Sequence, residues 1–142
     1  MLTILAAGCG RGTTVTKSTP TGSPSAITAS PAASPGCEPS GTQLEIAAKT
    51  QGDHPAFDKD CLAAPSETRF TIRFNNEEAS AHNIEIFDLP AGQGNQLFSG
   101  EVFVGPKIAT YTVKPLAEGT YYFRCAIHPN LMHGTLMVAP LQ

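Results

Sequence analysis

The sequence contains no tryptophan, few charged residues, no long apolar run and no basic cluster. Charged side chains make up 15% of the 142 residues, and the nine Lys and Arg are outnumbered by twelve Asp and Glu. Because no Lys/Arg cluster is present, nucleic acid is not indicated as a partner. No apolar stretch approaches the roughly 20 residues needed to cross a bilayer. The four cysteines include no CxxC pair, which argues against a zinc ribbon or a thioredoxin-type site.

Residues 1–9, MLTILAAGC, place small residues and a cysteine after a short apolar run. This order resembles the lipobox of bacterial lipoproteins, in which a signal peptidase cuts before the cysteine and the new N terminus is acylated. The resemblance implies a lipid anchor on Cys9 and a location in the periplasm or on the outer face of the cell membrane. Because the apolar run is too short for a signal peptide, we expect the precursor to start upstream of Met1. A disordered N terminus with an incidental cysteine is the alternative.

Residues 10–36 consist almost wholly of Gly, Thr, Ser, Pro and Ala, with two basic residues and neither acidic nor aromatic ones. Such a segment cannot bury enough apolar surface to offset the entropy lost on ordering. We therefore predict a flexible linker, which if fully extended would reach about 80 Å.

From residue 37 to residue 142 the sequence changes to strand-like segments separated by Gly, Pro, Asn and Asp. Helical periodicity is never sustained, and about six to eight short strands are predicted, with residues 51–65 irregular and 89–100 a loop. Together these features favour one domain built as an antiparallel β-sandwich. The predicted strands are QLEIAAK (43–49), RFTIRF (69–74), HNIEIF (82–87), KIATYTV (107–113), GTYYFRC (119–125) and HGTLMV (133–138).

Cys37 and Cys61 lie at the start of this domain, away from the fourth cysteine in sequence. In an exported protein, a disulfide between them is the economical interpretation. Two free buried thiols are the alternative.

Three potential metal ligands of different softness lie within eight residues between the last two predicted strands: Cys125, His128 and Met132. A thiolate, an imidazole and a weak thioether supply three of the four ligands of a mononuclear copper site. The fourth ligand, a second imidazole, would have to come from elsewhere. The remaining histidines are His54, His82 and His133.

His82 is the best candidate for the fourth ligand, since it starts a strand and shares the inward parity of Ile84 and Ile86. The set His82, Cys125 and His128 with an axial Met132 is the His₂Cys arrangement of blue-copper centres. A set containing His133 in place of the methionine could in principle hold zinc. Strand geometry should direct His133 away from that side, and we expect His54 to lie in a loop.

The segments HN-I-x-I-F, Y-x-F-x-C-x-x-H-P and M-x-G-T-L-x-V make the chain similar to cupredoxins of the plastocyanin and azurin kind over about residues 65–139. The resemblance implies a Greek-key β-sandwich and one copper ion per chain. It also implies that Asn83 hydrogen-bonds across to the ligand loop and holds it, as an outer partner of the ligands.

The ligand loop departs from the best-known family members in its spacing. The gap between His128 and Met132 holds three residues, one fewer than in plastocyanin and one more than in amicyanin, while azurin has this gap after a longer Cys-to-His spacing. The ligand set is unaffected, but the colour and the potential depend on this loop. A binuclear copper centre would need a second cysteine in the loop, and there is none.

Copper held by four protein ligands with no open position suits one-electron transfer. The sequence contains neither a nucleophile elbow nor a pair of catalytic carboxylates, the features that would indicate an enzyme. We therefore expect a monomeric electron carrier that serves a redox partner protein or a membrane-bound complex. His128 would be the exit for the electron, with Leu131 in a docking patch. The alternatives are a copper-trafficking or copper-sequestering lipoprotein and a domain that has lost its redox function.

Overall fold

The computed structural model describes residues 37–141, and these residues form an almost entirely β structure. The segments at 1–9 and 10–36, including Cys9, lie outside the described residues, as does Gln142. Within the described part, no helix is long and apolar enough to cross a membrane. The strands are β1 (Gln43–Gln51), β2 (His54–Phe57), β3 (Cys61–Pro65), β4 (Phe70–Asn76), β5 (Ala81–His82), β6 (Glu85–Phe87), β7 (Gln96–Ser99), β8 (Phe103–Val104), β9 (Lys107–Val113), β10 (Gly119–Arg124) and β11 (His133–Ala139), with a 3-10 turn at Pro90–Gly92.

Two main sheets form a sandwich, which confirms the predicted all-β sandwich, although the pairing is not purely antiparallel as predicted. One sheet has the order β2-β1-β4-β9 and the other β3-β11-β10-β6-β7, while β5 and β8 form a small separate pair. The sheets are mixed, since β1 runs parallel to β4 and β3 runs parallel to β11. Parallel neighbours require a crossover connection. Strands β2 and β3 lie in the chain between β1 and β4, so the segment predicted as irregular belongs to that crossover.

The sandwich interior is filled by side chains at alternating positions, as strand periodicity requires. Strand β4 buries Phe70, Ile72 and Phe74 and leaves the residues between them partly exposed. Phe74 lies at the centre, with its ring 6.1 Å from that of Phe57 and 5.6 Å from that of Phe103. The fully buried large side chains include Phe70, Phe74, Phe123, Ile46, Ile72, Ile84, Ile86, Met132, Leu136 and Val138.

Residues 51–65 contain two strands that the sequence pattern did not predict. Strand β2 pairs with β1, and β3 pairs with β11, with Cys61 opposite Thr135. The segment CLAAP has no alternation of its own, so its strand conformation comes from pairing with β11. The predicted disulfide is confirmed: Cys37 and Cys61 are bonded, with Cα atoms 6.1 Å apart.

The predicted strand HNIEIF is in fact two short strands, β5 and β6, and every residue from 82 to 87 is buried. Burial therefore does not alternate here. Glu85 is accommodated because its carboxylate accepts hydrogen bonds from Gln96 Nε2 at 2.8 Å and from Arg124 Nε at 3.2 Å. The predicted loop at 89–100 likewise contains β7, which supplies Gln96 from the sheet edge.

Candidate metal centre

The loop from Cys125 to Met132 joins β10 to β11 and is closed by its own backbone. The N–H of Cys125 donates to the carbonyl of Met132 at 2.8 Å, at the point where the two strands separate. The N–H groups of Leu131 and Met132 donate to the carbonyl of His128 at 3.1 and 2.9 Å. These bonds hold the side chains of the loop in a fixed relation before any ligand binds.

Three potential ligand atoms converge at this loop. One atom from each of His82, Cys125 and His128 lies within 4.8 Å of the other two. The Nδ1 atom of His82 is 3.7 Å from the Cys125 sulfur, and the two imidazole rings are 5.0 Å apart at an angle of 47°. His82 and Cys125 are fully buried, whereas His128 is half-buried. Strand β5 thus brings to the loop a histidine that is 43 residues away from the cysteine in sequence.

Met132 is fully buried in the same core cluster as Cys125. It ends the ligand loop, and its carbonyl is the acceptor for the cysteine N–H. The thioether side chain is therefore anchored at the inner end of the loop.

The other two histidines do not join the cluster. His133 is exposed and stacks on Tyr122, with ring centroids 5.7 Å apart. His54 is also exposed, and it begins β2 instead of lying in a loop. Among the His, Cys, Asp and Glu residues that the structure describes, the one group with metal-binding geometry is His82, Cys125 and His128. The rival zinc set that uses His133 is therefore not assembled.

His128 carries a buried nitrogen without a partner. Its Nδ1 is the only buried side-chain nitrogen or oxygen in residues 37–141 that has no hydrogen-bond partner. Unsatisfied buried polar atoms are rare and each needs an explanation. A metal ion accounts for this one, because an imidazole lone pair can be satisfied by coordination. Two imidazoles, one thiol and a neighbouring thioether fit copper in particular.

A sequence comparison identifies the family. A family model described as a cupredoxin-like domain matches residues 26–138. The chain belongs to the cupredoxin-like family. No curated protein sequence matches it at a significant level.

Solved structures of two auracyanins and a rusticyanin are similar to this cupredoxin. Dithionite-reduced auracyanin from Roseiflexus castenholzii is 27% identical, with a TM-score of 0.57 over 70% of this chain and 98% of that chain. Auracyanin A from Chloroflexus aurantiacus, a "blue" copper protein, is also 27% identical, with a TM-score of 0.57 over 68% and 97% of the two chains. Rusticyanin from Thiobacillus ferrooxidans is 22% identical, with a TM-score of 0.53 over 71% and 80%, and supports the fold alone.

Asn83 connects the ligand loop to the segment that contains Gly100. Its Oδ1 accepts a hydrogen bond from the N–H of Ala126 at 2.9 Å, and its Nδ2 donates to the carbonyl of Gly100 at 3.0 Å. Asn83 is itself buried. It therefore joins the residue after His82 to the residue after Cys125, which couples the positions of the two ligands.

Glu78 contacts His82 directly, and the sequence analysis did not predict this contact. Its Oε2 lies 2.6 Å from Nε2 of His82, the ring nitrogen on the far side from Cys125. A carboxylate four residues before a candidate histidine ligand, across a short turn, was the available signal.

Tyr111, on the neighbouring sheet, stays a neutral phenol near the site. Burial, reinforced by the Glu101 carboxylate and by Cys125, raises the pKa of Tyr111 well above its usual value. Its hydroxyl donates to the Glu101 carbonyl at 2.8 Å. Tyr111 therefore adds no negative charge to the surroundings of the cysteine.

Exposed apolar residues and a polar cleft both lie next to His128. Ile127 and Leu131 flank His128 in sequence, and each is 50% exposed. His128 also lines a cleft of about 420 Å³, together with polar residues that include Lys49, His54 and Glu78. His128 is thus the ligand that lies closest to both surfaces.

Proposed function

We propose that this protein holds one copper ion in a type 1 site and carries one electron at a time between redox partners. The observation that supports the proposal best is the buried cluster of one thiol and two imidazoles, one of which has an otherwise unsatisfied nitrogen. Cys125 would bind as the thiolate, His82 and His128 would be the two imidazole ligands, and Met132 would be the weak thioether ligand. Bound copper would supply the one-electron couple between Cu(II) and Cu(I).

The protein contributes a rigid and dry set of ligands. His82 and Cys125 are fully buried, which excludes water from their side of the site. The backbone bond between Cys125 and Met132 and the Asn83 bridge restrain the loop. Ligands held this firmly change little between oxidation states, which favours electron transfer over catalysis at an open metal position.

Electrons would pass through the half-buried ring of His128, which lies between the buried ligands and the surface. Ile127 and Leu131 would form a docking patch beside it, where exposed apolar side chains exclude water on contact with a partner. The partner would be a protein or membrane complex that exchanges single electrons.

We further propose that the protein works outside the cytoplasm, tethered by a lipid on Cys9. The disulfide between Cys37 and Cys61 supports this, because such bonds persist in oxidising compartments. The lipobox-like order of residues 1–9 supports the anchor. Mass spectrometry of the mature N terminus tests it: an acylated Cys9 as first residue is expected, and an unmodified internal Cys9 would contradict it.

Optical and EPR spectra of the oxidised, copper-loaded protein test the copper assignment. We expect one copper per chain, an intense visible absorption band from the cysteine sulfur, and its reversible loss on reduction. A weak, colourless copper signal would contradict the assignment.

The alternative function, copper trafficking on the same fold, predicts a different rate of copper loss. A trafficking protein gives its copper rapidly to a chelator or an apo-acceptor, whereas an electron carrier keeps it through repeated redox cycles. The buried cysteine and closed loop favour slow copper loss and therefore the carrier.

A further inference from the structure

The carboxylate of Glu78 is held at both oxygens. Its Oε2 lies 2.6 Å from Nε2 of His82, and its Oε1 accepts a hydrogen bond from the Thr50 hydroxyl at 2.8 Å. The Glu78 side chain is only 11% exposed, although it lies in a turn beside an open cleft. A surface glutamate usually samples several rotamers, but this one has a single set of partners.

The turn that carries Glu78 is held by a buried amide. Asn76 accepts the backbone N–H of Glu78 on its Oδ1 at 3.1 Å, and its Nδ2 donates to the carbonyl of Ser80 at 2.8 Å. The same Nδ2 donates to the carbonyl of Phe103 at 3.0 Å, on the strand opposite His82. The Asn76 side chain therefore ties the turn to β8, and the position of the Glu78 carboxylate is set before His82 binds a metal.

We propose that Glu78 is a positioning residue that sets the tautomer of His82 and lowers the reduction potential of the copper site. The inference rests on the copper site proposed above. Because the carboxylate accepts a hydrogen bond from the N–H at Nε2, the lone pair of His82 stays on Nδ1, the atom 3.7 Å from the Cys125 sulfur. Outer hydrogen-bond partners of this kind orient a ligand histidine and make it more basic.

The charge of Glu78 acts differently on the two oxidation states. A carboxylate bonded to a ligand imidazole stabilises the more highly charged Cu(II) more than Cu(I). Removing that charge should therefore favour the reduced form. Weakening the hydrogen bond, because a neutral amide oxygen is a poorer acceptor than a carboxylate, should also loosen the metal, since partners of this type are typically worth about 10- to 100-fold in metal affinity.

The test compares Glu78→Gln with Glu77→Gln in the copper-loaded full-length protein. Glu77 is exposed, lines the same cleft and bonds Asn75 at 2.9 Å, so its variant loses the same charge without touching His82. We expect E78Q to keep the visible band but to shift the ratio of Cu(II) to Cu(I) about tenfold towards Cu(I), a rise of about 59 mV for one electron. Copper loss to a chelator should accelerate by about tenfold or more. E77Q should change either property by a small fraction of this.

Two results would overturn the role of Glu78: an unchanged potential in E78Q, or an equal shift in E77Q. A wild-type protein without a type 1 spectrum would instead refute the proposed function. If E78Q does not fold, nitrogen-15 NMR of the histidines in the wild-type protein tests the hydrogen bond between His82 and Glu78. The spectra are recorded on copper-free protein in alkaline buffer and on Cu(I)-loaded protein. A slowly exchanging proton on Nε2 of His82 is expected, and a proton on Nδ1 or a freely exchanging one would refute the inference.

Discussion

At the scale of single residues, Cys125 and His128 each have a donor atom that the rest of the described structure leaves without a bonding partner of its usual kind. Cys125 is the one described cysteine outside the disulfide, and it is fully buried. His128 has a buried nitrogen that no protein atom satisfies. A buried thiol alone would indicate ordinary packing. Its combination with two converging imidazoles indicates a metal site, and removing single donors tests each proposed role.

Replacing the cysteine tests the main proposal. Cys125→Ser should abolish the intense visible band, because the band requires electron transfer from a thiolate sulfur to copper. The measurement is the optical spectrum of the oxidised protein, with His133→Gln as control, since His133 stacks on Tyr122 outside the cluster. A C125S protein that stays blue, or an H133Q protein that loses its colour, would contradict the ligand assignment.

Replacing the methionine tests the axial position. Met132→Leu is close to volume-conserving, so the fold should lose less than about 1.5 kcal/mol. Copper should remain bound. The reduction potential should rise by on the order of 59 mV, which is a tenfold shift in the ratio of Cu(II) to Cu(I), because losing the thioether donor destabilises Cu(II) more than Cu(I). Cyclic voltammetry measures this, and an unchanged potential would show that the sulfur is not a ligand.

At the scale of elements, the ligand loop is fixed by the two strands that it joins. Strands β10 and β11 pair antiparallel from Gly119 opposite Val138 to Arg124 opposite His133, and the loop begins at the next residue. Gly134 lets β11 lie close to the Asp60 carbonyl and to the Phe123 ring, because a Cβ at this position would collide with both. Local alternation predicted both strands and their loop. It did not predict β3, whose conformation depends on β11, nor the break between β5 and β6.

The disulfide belongs to the strand framework and lies outside the ligand cluster. Cys61 begins β3, the strand at the edge of the sheet that contains β10 and β11. The two cysteines are 24 residues apart, so chain entropy gives a stabilisation of about 3.5 kcal/mol. The free energy of unfolding of a Cys37→Ser/Cys61→Ser variant should fall by about this amount. The variant should therefore unfold at a lower denaturant concentration. Its copper spectrum should match that of the wild type, and an altered spectrum would show that the bond also supports the site.

At the scale of the whole molecule, the ligand loop lies at one end of β11 and Leu141 follows the other end. Strand β11 runs from His133, next to the loop, to Ala139, and Leu141 follows with 52% of its surface exposed. Ile127 and Leu131 are exposed at the loop end. The proposed docking surface is therefore separate from Leu141.

A charge in the docking patch should slow contact between molecules. Leu131→Glu should reduce the rate of electron self-exchange about tenfold at low salt, because two facing patches would repel, and added salt should restore part of it. NMR line broadening in mixtures of oxidised and reduced protein measures this rate. Leu141→Glu adds the same charge at the other end and should have little effect; equal slowing in both variants would rule out the patch.

Local sequence determined the kinds of residue that could form the site and most of the strands that carry them. Cys125, His128 and Met132 are neighbours in the chain, so their spacing alone could indicate a metal loop. Strands with clean alternation, such as β4 and β9, were predictable because one face of each is buried. The disulfide followed from the cysteine count and the expected compartment.

Only the tertiary structure decided which distant segments meet. The parallel pairing of β1 with β4 and of β3 with β11 depends on burying whole faces together, and no local pattern encodes it. The same holds for the contact of Glu78 with His82 and for the stacking of His133 on Tyr122. These contacts depend on where a side chain points after the sheets have packed, and a sequence pattern gives only which face it occupies.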